Sequence, residues 1–497
     1  MRALVCGAGL GGIAAALRLR ARGYEVTLFD RGQQLGGRAR TFERDGFKHD
    51  AGPTVVTAPF LLEELFELFG ERLQDHLKLV PLTPWYRFQY PDGSRFDYGG
   101  SVEDTLREIE RIDPRDVDGY LRLLEHSKRI FDVGFTELSA VPFHNFGTMV
   151  KQVPKLLNLR SDLTVWKLVS RYLKNPKLQW AFSIQPLLVG GNPFDTTSIY
   201  SLIHHVEREW GIHFAMGGTG AIVDALGGLL DRQGVRVELG QTVAKVDIEQ
   251  GTAKGVTLED GRSVRADVVV SNADAAFLHK EMIPREHQSM RARLKLKAAH
   301  YSMGLYVLYF GTKRQYPDVV HHTIWFGKRY RPLLDDIFNK KVLADDFSLY
   351  LHRPTATDPS FAPDGCDSFY VLCPVPNLQG DVDWEVEGPR LRDRIVGALD
   401  DSILPGLRET ITSDFFMTPA DFQQDYLSVH GAGFSVAPIF RQSAWFRFHN
   451  RAEGVRNLYL VGAGTHPGAG MPGVLCSAKV LDELVEPAAT AAAAPAS

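Results

Sequence analysis

Apolar positions along the chain follow two periods, and the changes between them outline the fold. Ala3–Cys6 is a short unbroken apolar run ending in glycine, the pattern of a buried strand. Ile13–Arg22 repeats its apolar residues at helical spacing, Gly23 stops it, and Glu25–Phe29 is a second strand closing on Asp30. Pro59–Phe69 predicts a helix by its leucine and phenylalanine spacing, and Tyr86–Tyr98 a strand–turn–strand around Pro91-Asp92-Gly93. From Val102 to about Lys177 the pattern is mostly helical. Val235–Val246 and Gly255–Val270 are strand-rich with a hairpin at Asp260-Gly261, and Tyr301–Phe310 and Phe369–Val375 predict strands of another sheet. Leu458–Val461 is a last strand, entering the glycine-rich stretch Gly462–Gly473 and then a helix from about Val474 to Leu484. The alanine-rich tail Pro487–Ser497 is expected to stay outside the fold, and no repeat of 20–50 residues is present.

The order of these elements carries more than their bounds. A βαβ unit opens the chain and a second glycine-rich strand-to-helix turn closes it, which predicts a nucleotide-binding α/β sheet interrupted by inserted sequence. The opening turn, Gly7-Ala8-Gly9-Leu10-Gly11-Gly12, has the logic of a pyrophosphate site. Gly7 permits the tight bend, Gly9 lets backbone approach the ligand, and Gly12 lets the helix lie close to the sheet. Asp30 then offers a carboxylate to ribose hydroxyls. The basic Arg2 and the apolar run behind it also resemble a signal peptide, but four glycines within Gly7–Gly12 make a poor inserting helix.

Composition narrows the class. A length of 497 residues suggests about two to four domains. A net charge of −4 removes the bulk basic charge expected of a nucleic-acid binder, and no apolar run approaches the roughly 18 residues of a membrane span. Four scattered cysteines suggest free thiols in a reducing, cytoplasmic setting. The adjacent pairs His204-His205 and His321-His322 poorly suit one ion, and neither H-E-x-x-H nor C-x-x-C occurs, so no metal is expected. Further glycine-rich loops follow Asp30: Leu35-Gly36-Gly37-Arg38, where Arg38 can bring a positive charge near the pyrophosphate, and Asp50-Ala51-Gly52-Pro53-Thr54. With Gly462–Gly473 they give separated backbone sites, which suit the long, retained FAD better than NAD.

Several of these strings together resemble a family. Gly36-Gly37-Arg38, Asp50–Thr54, Leu187–Pro193, Met216–Gly220, Ser271–Asp274 and above all Asn457–Gly473 are similar to the bacterial and fungal type of phytoene desaturases, flavoproteins of carotenoid synthesis. The resemblance runs from about Ala3 to Leu484. It implies the fold of amine oxidases and dissociation inhibitors: a Rossmann-like FAD-binding domain (1–80, 230–290, 455–486), an inserted substrate-binding domain (81–105, 180–229, 291–454), a helical, membrane-facing region (106–179) and a disordered tail (487–497). It implies FAD held by Gly7, Ala8, Gly9, Gly11, Gly12, Asp30, Arg31, Gly37, Arg38, Gly52, Pro53, Thr54, Val243, Gly464, Met471, Pro472, Gly473 and Val474. It also implies a C40 carotenoid hydrocarbon as substrate, with oxygen or a quinone as electron acceptor. Two features depart from wider patterns. Thr465 and His466 follow the C-terminal glycines where many flavoproteins of the fold carry an acid, and Thr148 and Lys151 stand where the family pattern has Asp and Arg. The candidates for proton handling are then Arg331, His466 and Lys151.

Such a substrate has no carbonyl, hydroxyl or amine to grip, so making a C=C needs hydride loss from one carbon and proton loss from its neighbour. Moving a C40 chain into water costs on the order of 30 kcal/mol at about 0.8 per CH2, so it is expected to enter from lipid. Between 148 and 179, seven Lys/Arg face the single acid Asp162. Val165, Leu168, Val169, Tyr172 and Leu173 recur at helical spacing there, a stripe that by pattern alone suits packing on the core equally well; a substrate entering from lipid favours the reading of a peripheral membrane-docking helix. Competing expectations are a carotenoid isomerase, a later-step desaturase or oxidase of the same fold, and a non-catalytic lipid-binding protein of the dissociation-inhibitor kind.

Overall fold

A computed structural model of the chain describes residues 1–142, 147, 152, 154–155 and 158–488. The opening strand Arg2–Cys6 lies at the centre of a five-stranded parallel sheet, between Glu25–Phe29 and Val268–Ser271. Arg236–Glu238 and Leu458–Leu460 form its edges. Numbered along the chain, the order is 3-2-1-4-5, so direction reverses between Arg2–Cys6 and Val268–Ser271, where α/β sheets bind ligands. The helix Leu10–Ala21 is buried along most of its length. Its alanines suit the contact, and at Gly12 an added Cβ would stand 1.9 Å from the Gly7 carbonyl oxygen. Met471–Lys479 and Gly218–Arg232 pack their apolar residues into the same core. Thus Gly218–Arg232, placed up to residue 229 in the substrate-binding part by the sequence division, shares the core of the nucleotide sheet. Ala488, at the start of the expected tail, is buried in that core and donates its N–H to the Arg22 carbonyl; residues 489–497 lie outside the described residues.

The inserted sequence builds a seven-stranded sheet. Its order is Ile411–Met417, Gly304–Thr312, Asp367–Val375, Leu349–His352, His322–Trp325, Tyr86–Gln89, Arg95–Tyr98. All pairs are antiparallel except His322–Trp325 with Tyr86–Gln89. The Asp260-Gly261 turn joins two strands of a three-stranded antiparallel sheet, Val243–Glu249, Thr252–Leu258 and Ser263–Arg265. All four cysteines are free.

The helical block opens with a capping box at Ser101 and Asp104 over Val102–Ile112, and Pro114 separates it from Val117–Phe131. The docking expectation needs correction at Val165–Tyr172. Val165, Leu168, Val169 and Leu173 are all fully buried, and the Tyr172 hydroxyl is bonded to His126 Nδ1 at 2.7 Å. The apolar stripe packs onto Tyr120, Leu123 and Ile130 because the neighbouring helix brings an equally apolar face to it. Only the charges Lys167, Arg171 and Lys174 face outward. Among the described residues no helix is long and apolar enough to cross a membrane.

Candidate active site

The loops at the carboxyl edge of the parallel sheet meet around one side chain, Asn272. An added Cβ would lie 2.8 Å from Asn272 Nδ2 at Gly9, 2.6 Å from Oδ1 at Gly11 and 2.8 Å from Oδ1 at Gly462. The glycines therefore make room for this amide as well as for a ligand, a demand that the spacing of the turn does not reveal. The second glycine loop closes on the first: Gly36 N–H donates to the Ala8 carbonyl at 2.8 Å, and Gly37 sits against Gly9.

The residues present fit a dinucleotide. The helix Leu10–Ala21 begins at Gly9 with no side-chain cap and no acid in its first turn. Its leading N–H groups and the positive end of its dipole are left for an anion. Asp30 accepts from the N–H groups of Ala8 and Gly32, each at 2.6 Å, and so braces the turn. A carboxylate has about four acceptor positions, which leaves capacity for ribose hydroxyls. Val243 packs on the cluster that holds Leu4, Cys6 and Phe29. Arg31 is exposed and donates to the Gln424 carbonyl at 2.7 Å. Arg38 donates to the Gly433 carbonyl and Ser428 Oγ, and lies 5.5 Å from the Tyr426 ring centre. Its charge is thus tied to the 428–433 loop; burial lowers its pKa, and Asp274 opposes that.

At the other end of the chain, Gly464 packs against Ala275 and Ser435, and the Val474 side chain approaches Gly11. Two buried residues hold this loop in shape. Arg447 Nε donates to the Thr465 carbonyl at 3.0 Å and its Nη2 to that of Ala463 at 2.6 Å. Asn450 Nδ2 donates to the His466 carbonyl at 2.9 Å. Neither residue stands out in the sequence, because a guanidinium that serves backbone carbonyls needs no partner motif.

Gly52 takes φ +126° and leads Pro53 and Thr54 into the wall of a cavity of about 360 Å³. Met471, Pro472 and Gly473 form another part of that wall, Val189 meets Gly470 beside them, and Leu187, Leu333 and Ile337 also line it. Tyr86, Tyr330, Tyr350 and Tyr370 also line it. The one carboxyl in the lining among the described residues is Glu207. Burial pushes Glu207 up to about 8, while Arg208 beside it pulls the other way.

The catalytic candidates are dispersed. His466 lines the cavity, and its Nε2 lies 2.9 Å from the Leu138 carbonyl, so that nitrogen carries a donated proton. Burial brings its pKa down to about 4, which leaves a neutral, weakly basic ring. Arg331 is exposed and stacks on Phe194 at 4.8 Å; its neighbour Tyr330, not Arg331, reaches the cavity. Lys151 and Thr148 lie outside the described residues.

Comparison with known proteins agrees with this geometry. The family model for flavin containing amine oxidoreductases matches residues 10–479. The chain is 46% identical over 476 residues to a lycopene-forming phytoene desaturase of Pantoea ananas, covering 96% of this chain and 97% of the relative. It is 42% identical to a neurosporene-forming phytoene desaturase of Rhodobacter capsulatus, covering 97% and 94%. Among solved structures, an oxidoreductase from Methanosarcina mazei superposes with a TM-score of 0.66 at 18% identity, over 97% of this chain and 100% of that one. Cyclohexylamine oxidase from Brevibacterium oxydans gives 0.62 at 16%, over 97% and 99%.

Proposed function

Since this chain belongs to the flavin-containing amine oxidoreductase family, in the branch of the bacterial phytoene desaturases, we propose that it introduces C=C bonds into phytoene, forming neurosporene or lycopene. The observation that carries this reading is the continuity of one apolar cavity. It runs from the loops fitted to FAD, at Pro53–Thr54 and Met471–Gly473, to walls of leucine and isoleucine with a single carboxyl among the described residues. A hydrocarbon needs shape and exclusion of water, and these walls supply both. FAD, when bound, supplies the acceptor for hydride.

The chain's own residues then have three tasks. The glycine loops and the amino end of Leu10–Ala21 hold the cofactor's pyrophosphate. Tyrosine faces at 86, 330, 350 and 370 stabilise positive charge that develops on the polyene between hydride and proton loss. Glu207 receives the proton: at a value of about 8 it is poised between its states near neutral pH. Oxygen or a quinone closes the reaction as final electron acceptor.

The substrate reaches the cavity from a membrane surface, and the helix Met290–Ala298 is the docking face. Met290 is 64% exposed and Leu294 59%, beside Phe440 at 49% and Phe446 at 36%. Arg291, Arg293, Lys297 and Arg441 are exposed among them. Ser443 and Ala444, next in the chain to this patch, line the main cavity. An exposed apolar cluster ringed by cations suits contact with an anionic lipid surface.

The test is purified protein with FAD and phytoene-loaded liposomes, without nicotinamide. Products absorbing at successively longer wavelengths are expected. Untouched phytoene together with isomerisation of a cis polyene would instead establish the isomerase reading.

A further inference from the structure

Behind the cavity wall three histidines converge. His322 and His352 are directly paired across adjacent antiparallel strands, and their rings stack with centres 5.3 Å apart. His321, just ahead of its strand, turns its ring towards both, with centres 4.6 Å and 4.8 Å away. All three are buried, at 5%, 0% and 0% exposure. One nitrogen of each ring, His321 Nε2, His322 Nε2 and His352 Nδ1, is buried with no hydrogen-bond partner, and the candidate donor atoms of the cluster lie within 4.8 Å of one another.

The opposite nitrogen of each ring is held by an oxygen. Asp50 Oδ2 accepts from His352 Nε2 at 3.3 Å, and a carboxylate only accepts, so His352 Nδ1 is left with its lone pair. Asp50 is itself fixed, since its Oδ1 accepts from the Thr219 N–H at 2.9 Å. Tyr350 can give its proton to Thr54 Oγ1 at 2.6 Å and accept from His322 Nδ1 at 2.8 Å. Thr357 Oγ1 stands 2.7 Å from His321 Nδ1. Metal-bound histidines are oriented in this way, with the outer N–H on a carboxylate or another oxygen and the inner lone pair facing the ion. Left to themselves, the three inner nitrogens stay buried and unsatisfied.

We propose that His321, His322 and His352 bind one divalent, imidazole-preferring metal ion, Zn²⁺ in the first instance. Three imidazoles are a known zinc donor set, and the fourth position takes a small ligand such as water. Tetrahedral bonds of about 2.0–2.1 Å put donor nitrogens roughly 3.4 Å apart, so the rings draw together by about an ångström or so on loading. The ion would act as a staple. It ties Leu349–His352 and His322–Trp325 to the Asp50 loop, whose next residues enter the cavity wall, and through Tyr350 it touches that wall directly. This does not rest on the desaturase reading, because only the cluster's own geometry is used.

The experiment uses the tag-free, FAD-loaded full chain. It is incubated with Zn²⁺, desalted and measured for metal by mass spectrometry; Co²⁺ replaces Zn²⁺ in a parallel sample for visible absorption. About one zinc per chain is expected, with strong d–d bands in the cobalt sample. Both should be lost in His322→Gln and His352→Gln. Thr357→Val keeps all three ligands and removes only an outer partner, so it covers the case in which the histidine variants do not fold; zinc affinity there should drop roughly 10- to 100-fold. A wild-type chain that retains no metal, or metal retained unchanged in all three variants, overturns the proposal.

Discussion

Glu207 shows how burial converts one side chain into a pH-dependent property of the whole chain. Its value of about 8 stands well above the ordinary 4.5 of a glutamate, mainly because burial penalises the charged form. Between those two values the folded chain holds a proton that the unfolded chain has released. The stabilisation from this group is therefore complete below about pH 4.5, declines as pH rises towards 8, and is gone above it. Glu207→Gln should remove that decline and raise the melting temperature at pH 9 relative to wild type, by an amount corresponding to at most about 4–5 kcal/mol. Thermal melts from pH 5 to 9 on both proteins measure it; an identical slope in the variant would show that the carboxyl is already ionised. For turnover the sign is opposite. A proton acceptor must be ionised, so wild-type single-turnover rate should rise with pH through about 8, and the glutamine should slow it roughly 10²–10⁴-fold.

The opening turn is an element whose glycines answer to two neighbours at once. A Cβ at Gly9 would press within 2.8 Å of Asn272 Nδ2, at the mouth of the helix that receives the pyrophosphate. Gly9→Val should therefore lower FAD affinity by at least about 100-fold and destabilise the apoprotein by about 1–3 kcal/mol. Flavin absorbance after desalting, with melts of apoprotein, checks both; full occupancy in the variant would move the cofactor elsewhere. This element was legible in advance because its chemistry is local: strand, turn, helix and acid follow one another within Ala3–Asp30. Asn272 was visible only as part of a motif, since its role depends on a parallel strand that arrives more than 200 positions later. Glu207 and Arg447 gave no signal at all, being ordinary letters in amphipathic text. The Val165–Leu173 stripe leaves core packing and membrane docking both open in the sequence, because helical periodicity tells which face is apolar and not what lies against it. The pair His321-His322 shows no third partner in the sequence, because the register that brings His352 opposite His322 is a property of the sheet.

On the scale of the molecule, the proposed function makes cavity and surface patch one route. If lipid binding runs through Met290–Ala298, then exchanging Arg291, Arg293 and Lys297 for Gln removes about 1 kcal/mol of attraction each to anionic headgroups. Liposome binding should fall roughly 100-fold, and salt should weaken wild type in the same direction. FAD content should hold. The same exchange at Lys167, Arg171 and Lys174, whose apolar partners are buried, should lower binding by less than about tenfold. Co-sedimentation over a salt series compares the two sets, and the opposite ranking would return the docking face to the helical block. The parallel sheet has a consequence of a different kind, in time. Its edge strand Leu458–Leu460 and the loop behind it are made some 450 residues after Gly7–Gly12. At about 5–20 residues per second the ribosome needs roughly 20–90 s to cover that distance. Throughout that interval the nascent chain carries half of a flavin site, and the other half follows only with Gly462–Gly473. Cofactor capture thus waits for the second glycine loop, and the supply of free FAD bears on a chain that already carries both halves.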